Sequence, residues 1–130
     1  MKSPTIQKFM TRLPDEVQAT ENLTSATNLM RERGIRHLPV FAGSKLVGIL
    51  SDRDIKFAAA LLGEQAKDMK ISEVCSTDLY KVSPLDKVSD VAAEMAHKKM
   101  GSALVVDGDT LVGLFTTSDA LRALSEAYSS

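Results

Sequence analysis

Two hydrophobic rhythms alternate along this chain, and the alternation runs through twice. Short apolar runs at 16–19, 37–41 and 45–50 read as strands. Between the first two, Leu23, Ala26, Thr27 and Met30 are spaced three and four apart, as one buried helix face requires. Gly34 follows, where a left-handed cap residue is favoured. A second helix is expected from about Ser51, with Ile55, Ala58, Ala59 and Leu62 on one face. The order β-α-β-β-α then repeats: strand 81–83, helix face Val88, Val91, Ala92 and Met95, strands 102–106 and 111–115, and a helix from about Thr116 that packs through Leu121, Leu124 and Tyr128. Gly43 and Gly108 each sit between two apolar runs and predict hairpin turns. Pro39 lacks an N–H and predicts an edge strand or irregular pairing. Asp86 and Ser89 offer helix-start chemistry, and polar 63–68 reads as a loop or frayed turn.

The repetition is in register. A shift of 65 positions, half of the 130 residues, lays Val17 on Val82, Met30 on Met95, Val40 on Val105 and Asp54 on Asp119. Leu46-Val47-Gly48 falls on Leu111-Val112-Gly113. The expectation is a tandem duplication with copies at 1–65 and 66–130, too small to bury a full core singly and therefore packed as one domain about a pseudo-twofold axis. The fold class expected is mixed α/β (α+β), with small sheets flanked by helices and two equivalent ligand clefts between the repeats.

Composition narrows the function. A net charge of −1 gives no basic footprint for nucleic acid, and 5% aromatics without Trp argue against a base-stacking platform. The longest apolar run, 57–62, is too short to span a bilayer, and no signal-peptide pattern follows Met1. A single cysteine, Cys75, points to a reducing, cytoplasmic setting; it falls opposite Met10 in the duplication and reads as a packed thiol. The two histidines, His37 and His97, make no metal-ligand spacing with it, and no phosphate-cradling glycine loop occurs. No enzyme constellation is present, so a non-catalytic protein is expected.

What chemistry there is lies at Ser51-x-x-Asp54 and Thr116-x-x-Asp119, each where a strand hands over to a helix. Free backbone N–H groups favour an anion there, and a carboxylate can accept from two adjacent hydroxyls. The same pair also reads as a capping box needing no ligand. Arg36, His37 and Arg53 add cationic donors around the first box; Gly101, Ser102 and Ser118 replace them around the second. His97 stands at a helix end, where a cation needs no ligand to explain it.

Residues 34–40 (Gly-Ile-Arg-His-Leu-Pro-Val) and 46–55 (Leu-Val-Gly-Ile-Leu-Ser-Asp-Arg-Asp-Ile), with 102–106 and 111–120 in the second copy, resemble the tandem cystathionine-β-synthase (CBS) domain pair over essentially the whole chain. The resemblance implies a regulatory module that binds an adenosine-containing ligand (AMP, ADP, ATP or S-adenosylmethionine) between repeats, with no obligatory cofactor. It also implies homodimers and a regulated partner protein. It assigns the first site to Arg36, His37, Leu38, Pro39, Ile49, Ser51, Arg53 and Asp54, flanked at adenine by Tyr80 and Val82. The second site falls to Ser102, Ala103, Leu114, Thr116, Ser118 and Asp119, flanked by Asp15 and Val17. In this scheme Asp54 and Asp119 hold ribose, and Ser51 and Thr116 lie near phosphate. Tyr80 reads either as a stacking platform or as strand packing. The lost cations predict that a phosphorylated ligand prefers the Asp54 site. The rival readings are a ligand-free structural or protein-interaction module, and a sensor of another ligand such as a cyclic dinucleotide, a divalent cation or nucleic acid. Phe57 and Leu61 are candidates for a dimer seam.

Overall fold

The computed structural model describes residues 2–12 and 15–129. The chain forms two compact units, Pro14–Leu79 and Met1–Leu13 with Tyr80–Ser130. Both are mixed α/β.

In the first unit, β2 (Val17–Gln18) leads into α2 (Leu23–Arg33), the hairpin β3 (His37–Ala42) and β4 (Lys45–Ser51), and α3 (Asp52–Leu62). The sheet order is β2-β3-β4, with β2 parallel and β4 antiparallel to β3. The second unit carries β5 (Lys81–Val82), α4 (Val88–Lys98), β6 (Ser102–Asp107), β7 (Thr110–Thr116) and α5 (Thr117–Ala127). It also holds α1 (Ile6–Phe9) and β1 (Thr11–Arg12), and its sheet runs β1-β7-β6-β5. Each hairpin pair sits at the same register in both copies: His37 faces Ser51 as Ser102 faces Thr116, and each ladder is bulged at the equivalent step, Val40/Phe41 and Val105/Val106.

The hairpin strands carry runs of consecutive buried residues: Leu38, Val40 and Leu50 close the core of the first unit, and Ala103, Val105 and Phe115 that of the second. Leu23, Ala26 and Met30 on α2, and Val88, Val91 and Met95 on α4, cover those sheets as their spacing predicts. A fully buried side chain of this size contributes about 1.5–3 kcal/mol.

The last helices depart from expectation. On α5 the buried residues are Asp119 and Ala123, while Leu121, Leu124 and Tyr128 are exposed. The helix phase is set at its start: Asp119 is held inward, so the position four residues on, Ala123, also faces in, and the larger residues form an outer stripe. Likewise Ala58 is the buried residue of α3; Ala59 and Leu62 are exposed and Ile55 is half-buried.

Other differences have local causes. Of the loop or frayed turn expected at residues 63–68 the turn is what forms, a 3-10 segment with Ala66 buried. Asp86 does not cap α4; its carboxylate accepts from the Ser83 N–H at 2.8 Å. The α4 start is served from the N-terminal segment, the Val88 N–H donating to the Pro4 carbonyl (2.9 Å) and the Ser89 N–H to the Ser3 hydroxyl (3.1 Å). β3 is the central strand despite Pro39. Opposite it, the Ile49 N–H donates to the Ser76 carbonyl and the Ile49 carbonyl accepts from the Ser76 N–H, at 2.9 Å each, so the prolyl nitrogen faces away from β4. In the other copy the equivalent N–H, of Leu104, donates to the Tyr80 carbonyl (2.8 Å); the first unit does without that bond.

Each hairpin also receives a segment that the 65-residue copies assign elsewhere. Ser76 bridges Ile49 in the first unit, and Thr11 and Arg12 pair with Leu114 and Gly113 in the second. Glycine makes this approach feasible: a Cβ on Gly113 would stand 2.7 Å from the Thr11 carbonyl oxygen, and one on Gly48 would stand 2.8 Å from Cys75 Sγ and 2.9 Å from the Ser76 carbonyl oxygen. Among the described residues, no helix is long and apolar enough to cross a membrane.

Candidate functional site

The first site is built where β4 becomes α3. Ser51 keeps an extended backbone and caps the helix, its hydroxyl accepting from the Asp54 N–H at 3.1 Å. Asp54 Oδ2 accepts in return from the Ser51 N–H at 3.2 Å. The capping box is therefore formed, and it leaves Asp54 Oδ1 with no donor among the described residues. The Asp52 N–H donates to the Arg36 carbonyl at 2.8 Å, which ties the strand entry to the helix start.

His37 stands opposite Ser51 in the ladder. Burial lowers its pKa below the ordinary value of 6.5, the Asp54 carboxylate opposes that, Arg36 lowers it further, and Asp52 raises it. Arg36 and Arg53 are exposed, and neither makes an ion pair among the described residues; Asp52 pairs with Lys56 at 3.1 Å. Cys75 joins this neighbourhood: burial raises its thiol pKa, and the Asp54 charge adds to the rise. The strand ladder and the helix start thus bring Arg36, His37, Ser51, Arg53 and Asp54 to one end of the β3-β4 hairpin.

The second box carries the same backbone and a different set of partners. Asp119 Oδ2 accepts from the Thr116 N–H (2.9 Å) and hydroxyl (3.1 Å). Asp119 Oδ1 accepts from the Thr11 hydroxyl at 3.0 Å and from the Arg122 guanidinium at 2.9 Å. The same Arg122 nitrogen donates to the Phe9 carbonyl at 2.6 Å. Asp119 is only 4% exposed, the one buried charged residue among those described. Ser102 and Ser118 lie at the positions of His37 and Arg53, so the cations of the first box are missing at those positions and Arg122 is the cation at this box.

Several assigned residues are core residues. Leu38, Pro39, Ala103, Leu114 and Val82 are buried and present almost no surface to a ligand. The Ile49 backbone is taken by Ser76. Tyr80 and Val82 belong to the second unit; Tyr80 packs on that unit's core, with Lys98 Nζ 6.0 Å from its ring centre. A groove of about 690 Å³ on the first unit runs between α2, α3 and the 63–68 turn, lined by Leu23, Thr27, Arg31, Ile55, Ala59 and Lys67 among others; Ser51 and Asp54 do not line it.

Thr11, Cys75 and Arg122 were not singled out as site residues by the sequence. The signals available were slight: Asp119 and Arg122 have the three-residue spacing of a helical ion pair, and Thr11 falls on Ser76 under the 65-residue shift.

A duplicated β-α-β-β-α unit with a capped carboxylate at each second helix start defines a tandem regulatory-module fold. The profile of the CBS domain family matches residues 6–60 and 71–126, and the chain belongs to that family as a CBS pair. It is 28% identical to the CBS domain-containing protein YhcV of Bacillus subtilis over 88% of this chain and 81% of YhcV. It is also 30% identical to an inosine-5′-monophosphate dehydrogenase of Korarchaeum cryptofilum over 94% of this chain, but spans only 25% of that enzyme's length. Among solved structures, AcuB from Vibrio cholerae is 34% identical, with a TM-score of 0.78 and 98% of both chains covered. The CBS domain pair of protein MJ0100, solved in complex with 5′-methylthioadenosine and S-adenosyl-L-methionine, is 25% identical, with a TM-score of 0.82 over 93% of this chain and 99% of that one.

Proposed function

We propose that this CBS pair is a non-catalytic regulatory module whose Asp54 site holds an adenosine-containing ligand of the AMP, ADP or ATP class. The observation that carries the reading is the unused Asp54 Oδ1, fixed at a capped helix start beside Arg36, His37 and Arg53. The carboxylate accepts from ribose hydroxyls; the guanidinium groups and the imidazole face a phosphate. The adenosine-type ligands of the MJ0100 pair support the class of molecule.

The two copies act together in this proposal. Ligand shifts the population between arrangements that hold the site differently, and the shift is read by a second copy or a regulated protein. The exposed apolar residues of α3, Phe57 (67% exposed) and Leu61 (69%), support such a contact.

Thermal unfolding with AMP, ADP, ATP and S-adenosylmethionine tests the reading. A ligand at a hundred times its Kd stabilises by about 2.7 kcal/mol. AMP is expected to raise the Tm of the wild type and to leave Asp54→Ala unmoved. A wild-type Tm that none of the four ligands changes would leave a structural or protein-interaction module as the function.

A further inference from the structure

We propose that Arg122 is a specificity-determining residue that occupies the second repeat's carboxylate in place of a ligand, so that this chain carries one open adenosine site rather than two. The inference deepens the reading of the two aspartates as ribose acceptors and rests on it.

The argument is geometric. Asp119 offers two oxygens, and in the second unit both are filled from within the protein. Oδ2 closes the capping box. Oδ1, whose counterpart on Asp54 is unused, accepts from Arg122 at 2.9 Å and from Thr11 at 3.0 Å. Two donors on one carboxylate oxygen are the pattern that neighbouring hydroxyls of a ribose would present. The same Arg122 nitrogen also donates to the Phe9 carbonyl at 2.6 Å, from a side chain that is 60% exposed. A ligand reaching Asp119 must displace a charge-assisted contact, the stronger kind of hydrogen bond.

The first copy shows what the site is without this contact. The residue 65 positions before Arg122 is Phe57, which has no donor. The residue 65 positions after Thr11 is Ser76, whose hydroxyl accepts from the Asp78 N–H at 3.3 Å and makes no bond to Asp54. The open and filled states of the two carboxylates therefore follow from one side-chain exchange, Phe for Arg, and one redirected hydroxyl.

The test is calorimetric titration of the full chain with adenosine, a probe without phosphate chosen because the second box lacks the cations of the first. Arg122→Phe installs the first copy's residue, and is expected to gain a saturable adenosine site, tighter by about tenfold or more than any second event in the wild type. Adding Asp119→Ala to that variant must abolish the gain. A folded Arg122→Phe protein with wild-type stoichiometry and affinity overturns the assignment, as does a gained site that survives Asp119→Ala or a wild type that already binds two adenosines. If Arg122→Phe fails to fold, Arg122→Met, which keeps the aliphatic stem and removes the donor, is read in the same way. Loss of the Asp54 reading is seen separately, as a wild type that binds neither AMP nor adenosine; the Arg122 assignment is then judged on the gained site alone.

Discussion

At the start of α3 the Ser51–Asp54 box closes on itself; at the start of α5 the Thr116–Asp119 box is drawn into a network reaching Thr11, Arg122 and the Phe9 carbonyl. The backbone is the same in both, because capping and apolar spacing set it and both survive in each copy. The chemistry differs because it depends on a few side chains that surround the box. Positions 36, 37, 53 and 57 are Arg, His, Arg and Phe; their counterparts at 101, 102, 118 and 122 are Gly, Ser, Ser and Arg. One duplication thus separates a carboxylate with one oxygen unpartnered from a carboxylate with both oxygens held within the fold.

That contrast is broken most directly by removing each carboxylate in turn. Asp119→Ala should cost about 3 kcal/mol in urea unfolding, since it strips a cap and the acceptor of Thr11, while Asp54→Ala should cost about 1 kcal/mol. In AMP titration the ranking should invert, with roughly a hundredfold loss for Asp54→Ala and little change for Asp119→Ala. Equal effects of the two in either measurement would erase the distinction.

The glycine notches should behave alike, which sharpens the point that the copies share a backbone. Gly48→Ala and Gly113→Ala each push a methyl into a backbone carbonyl and should each destabilise by about 1–3 kcal/mol, read from chemical unfolding. Helix ends come next. Gly34 caps α2 in the left-handed region at φ 65°, while its counterpart Lys99 caps α4 at φ 56° with a full side chain. Lys99→Gly should therefore stabilise by about 1 kcal/mol, seen as a raised Tm.

The smallest effect is in pH and belongs to the first copy alone. Burial holds the folded-state pKa of His37 below 6.5, so the unfolded chain takes the proton first. Stability from this group is complete above 6.5 and falls as pH drops through the lowered value. His37→Gln should flatten the slope of Tm against pH across that window. A bound phosphate opposes the effect of burial, so AMP should bind the wild type more tightly as pH falls, and His37→Gln should lose that trend in calorimetry.

Helices, hairpins and both boxes were legible in the sequence because each rests on short-range spacing: Leu23 to Met30, Gly43, Gly108 and the two Ser/Thr-x-x-Asp quartets. The two-residue strands were less so, since Thr11–Arg12 is too short to show a period and its partner lies a hundred positions away. The phase of α5 is hidden because Leu121, Leu124 and Tyr128 make a regular apolar stripe, and only the inward hold on Asp119 shows that the stripe faces out. The state of each carboxylate was not legible at all: it turns on where Arg122 and Thr11 reach, which spacing along one helix does not reveal.

The bond between the Thr11 hydroxyl and Asp119 joins positions 108 apart in the chain. On a ribosome adding about 5–20 residues per second, the segment holding Thr11 emerges roughly 5–20 seconds before its acceptor exists. Newborn protein must keep that stretch from straying until α5 is made, and a gene cut at the midpoint would deliver two fragments, each lacking the wedge that seats in its own glycine notch.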